Sequence, residues 1–350
     1  MENWKIRILV SIISVLIAGK VFSQDIVPQW VTDKAGAYPD SQWLAVVVEG
    51  NSRKSAETAA MNALARAFNT SLSTINNANQ SFSNTVTEMA GKKAIDSTQS
   101  QEFSQKLTQT SNVSGLIGVE TDFWQGLDKK TWFFIARMNR RECASQYHRL
   151  MAENEKNIVS LLSDAETVSG TLDAYSRQSF ALNIATANDN FQSIAHVLLP
   201  SMDKKFSYGN ADAIRALLLK TAAAITIYVD KVEGDTNGRI EKAFTTFFTD
   251  RGFKTGDKNN AKYLLTASFS SEESDFGAAQ TNKYINYTLD ALLSDKEGSE
   301  VFSYLGEDRK GHKTLQQARQ MVMRSVENSI TDSEEDGFAK NFEDYLSSLL

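Results

Sequence analysis

Cysteine, histidine and proline are scarce in this 350-residue chain, which has one cysteine, three histidines and three prolines. The single cysteine, Cys143, excludes an intramolecular disulfide, so stability must come from buried apolar area. We expect no lipid anchor, since a bacterial lipoprotein needs a cysteine where its signal peptide is cleaved. An unpaired cysteine is more often a small buried residue than a reactive thiol. With 41% hydrophobic residues the chain can bury enough surface for two domains.

Long apolar runs are also absent apart from the stretch Ile6 to Ala18, which is roughly a dozen residues long. A helix needs ~20 such residues to cross a bilayer. Basic residues precede this run and the tripeptide 21–23 follows it, a pattern typical of a cleaved signal peptide. We predict a signal peptide over 1–23, a mature chain from Gln24 and a periplasmic or secreted protein. An uncleaved membrane anchor is the alternative.

Positive charge is not in excess. The formal net charge is −6, and removal of the three basic residues and one acidic residue in 1–23 makes it about −8. Nucleic-acid binding depends on neutralising phosphates with Lys and Arg. We therefore expect no nucleic-acid partner.

The segment after the first predicted strand, Gly50 to Phe68, contains too few glycines for a phosphate-binding loop. Such loops use several glycines so that backbone N–H groups can approach phosphates, as in G-x-G-x-x-G. Here Gly50 stands alone before Arg53 and Lys54. The helix that follows has a stripe of alanines at spacings of three and four. We predict a structural turn and a helix that packs closely on a sheet and contacts no cofactor.

Candidate catalytic and metal-ligating groups are sparse. Cys143 and His148 are expected to lie on one helix, five residues apart, which separates their side chains by about 140° around the helix axis. They therefore do not suit a nucleophile–base pair. His196 and His312 are isolated, and no H-E-x-x-H or paired-cysteine pattern exists. We predict no catalytic residue, no cofactor and no metal site.

The phrase Asp230 to Gly238 is the segment most similar to a calcium loop. Glu233, Asp235, Asn237 and Gly238 fill its first, third, fifth and sixth positions, but Phe244 stands where a bidentate glutamate is required. The same polar residues suit a strand exit followed by a helix cap.

An acidic group after a later strand, formed by Glu272, Glu273 and Asp275, is the remaining candidate for chemistry. Paired carboxylates serve glycosidases, so a carboxylate-dependent hydrolase or a glycan-binding protein is the alternative function. We expect the group to lie in a solvated loop. The serine-hydrolase pattern G-x-S-x-G is not found.

Periodicity predicts an α+β fold with two small α/β-sandwich-like domains, each built as strand, helix and meander, joined by a helical connector. The first domain spans 24–145, the helical connector 146–222 and the second domain 223–350. In the first domain, strand 43–48 and helix 56–75 precede a polar stretch, Asn76 to Asn112, and a hairpin of 115–123 with 131–138. This polar stretch is a further candidate for a ligand-binding surface.

The rest of the chain is expected to be helical over Arg140 to Leu219 with a break at Pro200, and mixed from residue 224 onward. The predicted strands of the last part are 224–230, 261–270, 282–294 and 300–305. Its predicted helices are 239–250, 315–330 and 338–350.

In order along the chain, Pro28 and Trp30, Tyr38 and Pro39, the strand ending at Gly50, the alanine-rich helix, Gly115-Leu-Ile-Gly and Trp132-Phe-Phe-Ile-Ala resemble the LPP-type lipoprotein family over 28–145. That family is similar to the amino-terminal domain of flagellar assembly protein T. This chain lacks the family's lipobox cysteine and its G-x-G after the first strand.

The carboxy-terminal part resembles the amino-terminal α/β domain of TolB through the strand AITIYVD, Asp250-Arg-Gly-Phe and Ala261-Lys-Tyr-Leu-Leu-Thr-Ala. Together the resemblances imply an exported, non-enzymatic scaffold or adaptor of the bacterial cell envelope. Its expected partners are envelope or outer-membrane proteins or further copies of itself.

Overall fold

The computed structural model of the chain describes residues 27–67, 117–274, 282–332 and 336–350. The fold is α+β, as predicted, with one antiparallel three-stranded sheet and one mixed five-stranded sheet. The predicted signal peptide, the polar stretch Asn76 to Asn112 and Asp275 lie outside the described residues.

The amino-terminal part contains α1 (Gln29–Thr32), α2 (Lys34–Ala37), β1 (Trp43–Gly50), α3 (described over 53–67), β2 (Val119–Gln125) and β3 (Trp132–Asn139). The strand order is β1-β3-β2, and both pairings are antiparallel. The predicted hairpin is confirmed in this pairing of β2 with β3. β1 and β2 are the edges of this sheet within the described ranges.

Both faces of the three-stranded sheet are covered. On one face Phe134 and Met138 of β3 share a core with Ala56 and Ala60 of α3. On the opposite face a smaller cluster joins Trp30 to Ala45 and Ile135. Alternate residues of a strand face opposite sides, which explains how one strand supplies both clusters.

Two long helices follow, α4 (Arg140–Thr167) and α5 (Leu172–Leu198), and then a 3₁₀ turn (Pro200–Met202) and α6 (Ala211–Ala224). Each begins at a side-chain cap: Asn139, Thr171 and Asn210 accept hydrogen bonds from backbone N–H groups in the first turns of α4, α5 and α6. The predicted helical region and its break at Pro200 are confirmed.

These helices contribute to the cores of both sheets. Tyr147 and Met151 of α4 belong to the core of the three-stranded sheet. Ile158, further along α4, and Leu182 of α5 belong to the core of the five-stranded sheet. The helical region therefore packs into both sheets.

The carboxy-terminal part contains β4 (Thr226–Val229), α7 (Arg239–Asp250), β5 (Lys254–Thr255), β6 (Tyr263–Ser274), β7 (Lys283–Asp295), β8 (Glu300–His312), α8 (Leu315–Thr331) and α9 (Phe338–Ser348). The order is β5-β4-β6-β7-β8. β4 is parallel to β5 and β6, and the remaining pairs are antiparallel. Phenylalanines of α7 and α9 form the centre of its core, with Phe244 and Phe338 in edge-to-face contact at 4.8 Å.

Two strands are longer than the sequence pattern predicted. β6 continues to Ser274, where it pairs with Tyr284, and β8 continues to His312, where it pairs with Lys283. The prediction ended these strands at residues 270 and 305 because polar residues then replace the apolar alternation. Backbone pairing with β7 continues through these polar residues. β5, two residues long, was not predicted.

Candidate functional site

An open groove of about 670 Å³ runs beside α3. Three apolar side chains line it, Val48 of β1 and Ala59 and Ala63 of α3. Its polar lining is Ser52, Lys54, Ser55, Thr58, Asn62 and Arg66. The described lining residues supply hydroxyl, amide and cationic groups and no thiol, imidazole or carboxylate. Such a surface is suited to binding by shape, hydrogen bonds and positive charge.

Beside the groove, α3 packs very close to the sheet. Ala56, Ala60 and Leu64 are fully buried, and they recur every four residues along one side of the helix. A β-carbon on Gly50 would stand 2.8 Å from the backbone nitrogen of Ala56, so glycine permits this approach. Ala59 and Ala63, on the neighbouring side of α3, are half-buried and face the groove.

The start of α3 is capped from within the chain. Ser52 accepts a hydrogen bond through Oγ from the backbone N–H of Ser55 at 3.2 Å. The Arg53 guanidinium lies 3.7 Å from the centre of the Phe123 ring, a cation–π contact that joins α3 to β2. Lys54 lines the groove. The segment that the sequence offered as a phosphate loop is thus a tight strand-to-helix junction, as we predicted.

Cys143 and His148 lie on the same helix, as predicted, but in different surroundings. Cys143 is buried, and its Sγ lies 3.6 Å from the Gly118 carbonyl oxygen. Burial raises the pKa of this thiol to about 11, so it stays protonated at neutral pH. The buried Nε2 of His148 has no hydrogen-bond partner among the described residues.

Asp235 caps α7. Its carboxylate accepts hydrogen bonds from the backbone N–H groups of Arg239 at 3.2 Å, Ile240 at 2.8 Å and Glu241 at 3.1 Å. The helix-cap interpretation of this loop is therefore confirmed at Asp235, whose two oxygens are both engaged by the helix. Within the described ranges no three His, Cys, Asp or Glu side chains group closely enough to hold a metal ion.

The prediction that Glu272 and Glu273 lie in a loop is wrong, because both belong to β6. Adjacent residues of a strand point to opposite faces of the sheet, so these two carboxylates diverge. Glu273 pairs with Arg319 of α8 at 2.9 Å. The strand position removes the convergence that a pair of catalytic carboxylates needs.

A polar cluster between α4, α5 and the turn that follows α5 was missed from the sequence. Asn188 is fully buried; it donates to the Met151 carbonyl at 3.3 Å and to the Tyr208 hydroxyl at 3.1 Å, and accepts from Asn154 at 2.8 Å. Nothing in the local pattern around Asn188 separates it from an exposed helical asparagine.

Charged groups hold the chain after α5 against the helices. Glu155 accepts from the backbone and side chain of Ser207 and pairs with Lys204 at 2.8 Å. His196, which the sequence left isolated, has Nδ1 2.9 Å from Asp203. His312 lies at the end of β8, and its buried Nδ1 has no partner among the described residues.

No protein-family model and no curated protein matches this chain. Solved structures do show similarity. A minor lipoprotein of Acinetobacter baumannii matches 35% of this chain over 92% of its own length, with 14% identity and a TM-score of 0.26. A lipoprotein of Neisseria meningitidis matches 29% of this chain over 95% of its own length, with 15% identity and a TM-score of 0.21.

A secreted protein of Helicobacter pylori matches 83% of this chain over 96% of its own length, with 10% identity and a TM-score of 0.41. These neighbours are thus described as bacterial lipoproteins and a secreted protein. Among the residues the structure describes, no helix combines the length and apolar character needed to cross a bilayer.

Proposed function

We propose that this chain is an exported cell-envelope protein that acts by binding other envelope proteins and not by catalysis. The proposed contact surface is the groove beside α3. The observation that carries the proposal is that Val48 of β1 lines that groove, and β1 is an edge strand of the three-stranded sheet within the described ranges. Export is supported by the signal-peptide pattern of residues 1–23.

The groove suits an extended segment of a partner protein. Edge strands offer backbone N–H and C=O groups to which another strand can add. Ala59 and Ala63 are short, so they leave space for an apolar side chain of the partner above α3. Lys54 and Arg66 line the same groove and favour an acidic segment.

The test is site-specific photo-crosslinking in intact cells. A photoreactive amino acid at Thr58, which is exposed in the groove, should capture one or a few specific envelope proteins. The matched control is the same amino acid at Ser160, an exposed position of α4 outside the groove. Capture of the same proteins from both positions, or of none from Thr58, would refute the groove as the contact surface.

Localisation is tested separately by fractionating cells. The mature chain should begin at Gln24 and appear with periplasmic or outer-membrane material. A cytoplasmic chain that retains residues 1–23 would contradict export.

A further inference from the structure

The tip of the β2–β3 hairpin presents an apolar side chain to solvent. Leu127 lies in the turn between the two strands and is 67% exposed. Phe123 of β2, in the same hairpin, is 40% exposed. Lys129 and Lys130 follow Leu127 in the turn, and both are exposed. A hairpin tip is convex, so it can enter a surface but cannot enclose a ligand.

Aromatic pairs flank this tip on both faces of the hairpin. Phe123 and Trp132 have ring centroids 6.0 Å apart on the face that carries α3. Trp124 and Phe133 have centroids 5.7 Å apart on the opposite face. Tryptophan is enriched where apolar and aqueous phases meet, because its large apolar ring carries a polar N–H.

Hydrogen bonds within the turn satisfy several of its backbone N–H groups. Gly126 donates to the Thr131 carbonyl at 2.7 Å, and the Lys129 N–H donates to the Gly126 carbonyl at 2.8 Å. Asp128 accepts from the backbone N–H groups of Lys130 at 2.9 Å and Thr131 at 3.0 Å. A backbone whose groups are already paired loses less when it leaves water.

The charges around the tip favour an anionic surface. The ammonium groups of Lys129 and Lys130 form no ion pair with the described residues. The carboxylate of Asp128 accepts hydrogen bonds inside the turn, chiefly from the hydroxyl of Thr131, which lowers its pKa to about 2, so it stays negatively charged. The cations Lys129, Lys130 and Arg53 outnumber the carboxylates of Asp122 and Asp128 around the tip. Arg53 stacks on Phe123 beside the tip. Asp122, the nearest carboxylate on β2, accepts from the N–H of Phe123.

We infer that the β2–β3 hairpin tip docks on the surface of an anionic lipid bilayer. Leu127 enters the boundary between headgroups and acyl chains, the flanking tryptophans lie at headgroup level, and the two lysines contact lipid phosphates. This inference does not depend on the groove beside α3. It adds a second surface through which the protein would be held at a membrane.

The experiment is co-sedimentation of the purified mature chain with vesicles of phosphatidylglycerol and phosphatidylcholine, compared with vesicles of phosphatidylcholine alone. The wild-type chain should sediment with the anionic vesicles. Leu127→Ser should lower the vesicle partition coefficient by about tenfold, because serine lacks the apolar side chain that would enter the bilayer. Lys129→Glu/Lys130→Glu should lower it by at least about tenfold.

Matched controls lie elsewhere in the chain. Leu305→Ser alters a leucine of β8 that is 64% exposed, and Lys296→Glu/Lys313→Glu reverses two exposed lysines outside the hairpin. Both should change binding by less than about twofold. The melting temperature of each variant is measured so that loss of fold is not mistaken for loss of binding.

Two results would overturn the inference: failure of the wild-type chain to bind anionic vesicles, or an equal loss of binding in the controls and the tip variants. If vesicle binding fails and a photoreactive group at residue 127 captures a protein in cells, the tip is assigned to a protein partner. None of these results depends on crosslinking from Thr58.

Discussion

Gly50, the last residue of β1, lies against the backbone of Ala56 in the first turns of α3. A β-carbon at residue 50 would stand 2.8 Å from the Ala56 nitrogen and 3.1 Å from its β-carbon. Gly50→Ala should therefore push α3 from the sheet and lower the free energy of unfolding by about 1–3 kcal/mol. Urea denaturation measures this. Asn51→Ala, at the exposed next position, should change it by less than about 0.5 kcal/mol.

Ala60 and Ala59 are adjacent on α3 but should respond differently to enlargement. Ala60 is fully buried, so Ala60→Leu should overpack the core and cost about 1–3 kcal/mol. Ala59 is half-buried in the groove, so Ala59→Leu should leave stability nearly unchanged and reduce crosslinking from Thr58. Thermal unfolding and crosslinking yield are the measurements. Equal loss of stability in both variants would show that the groove is not an open surface.

Asp235 should be important for the start of α7. Asp235→Ala leaves three backbone N–H groups without their acceptor and should lower the free energy of unfolding by about 1–3 kcal/mol. Asn237→Ala, at an exposed position of the same loop, is the control. Added calcium should leave the wild-type melting temperature unchanged. A rise that Asp235→Ala abolishes would favour the calcium-loop interpretation.

Asp189 should make the protein less stable as pH rises. Burial raises the pKa of Asp189 to about 6 from an ordinary 3.8, although a hydrogen bond from the Ala211 N–H opposes the shift. The folded state thus binds this proton more tightly than the unfolded state, so the contribution to stability is full below 3.8 and is lost as pH rises through about 6. Asp189→Asn should melt above wild type at about pH 7, and the difference should shrink towards about pH 4.

Glu155 should show the opposite dependence. The hydrogen bond from Lys204, followed by that from the Ser207 N–H, holds the pKa of Glu155 below its ordinary 4.5. Its contribution to stability is present above 4.5 and is lost as pH falls through the lower folded value. Glu155→Gln should melt below wild type at about pH 7, with the gap closing in acid. Parallel pH profiles for the Asp189 and Glu155 variants would contradict both assignments.

Elements with a strong apolar period could be predicted from the sequence. The buried stripe of α3, the long helices on either side of Pro200 and the hairpin turn at 295–300 all have local signals, namely apolar spacing, a proline and turn residues. A helix cap in the loop before α7 was also predictable, because polar side chains there can accept from the free N–H groups of an amphipathic helix; the choice of Asp235 among them was not.

Features set by distant residues could not be predicted. β6 continues through Glu272 and Glu273 because β7 pairs with them, and their side chains give no sign of this. Asn188 is buried by Met151 and Tyr208, which lie 37 and 20 residues away. The groove depends on which side of α3 meets the sheet. The apolar stripe alone does not show this, because it also includes Ala59 and Ala63, which the structure places in the groove.

Met151 and Ile158 are seven residues apart on α4, about two turns, and so face the same direction. One belongs to the core of the three-stranded sheet and the other to the core of the five-stranded sheet. Unfolding of either core would expose the apolar side chains that α4 contributes to it. Calorimetry should therefore show the two cores unfolding in one cooperative transition. Because β3 continues directly into α4, a force applied to the β2–β3 hairpin would be transmitted to the helix that packs on the five-stranded sheet.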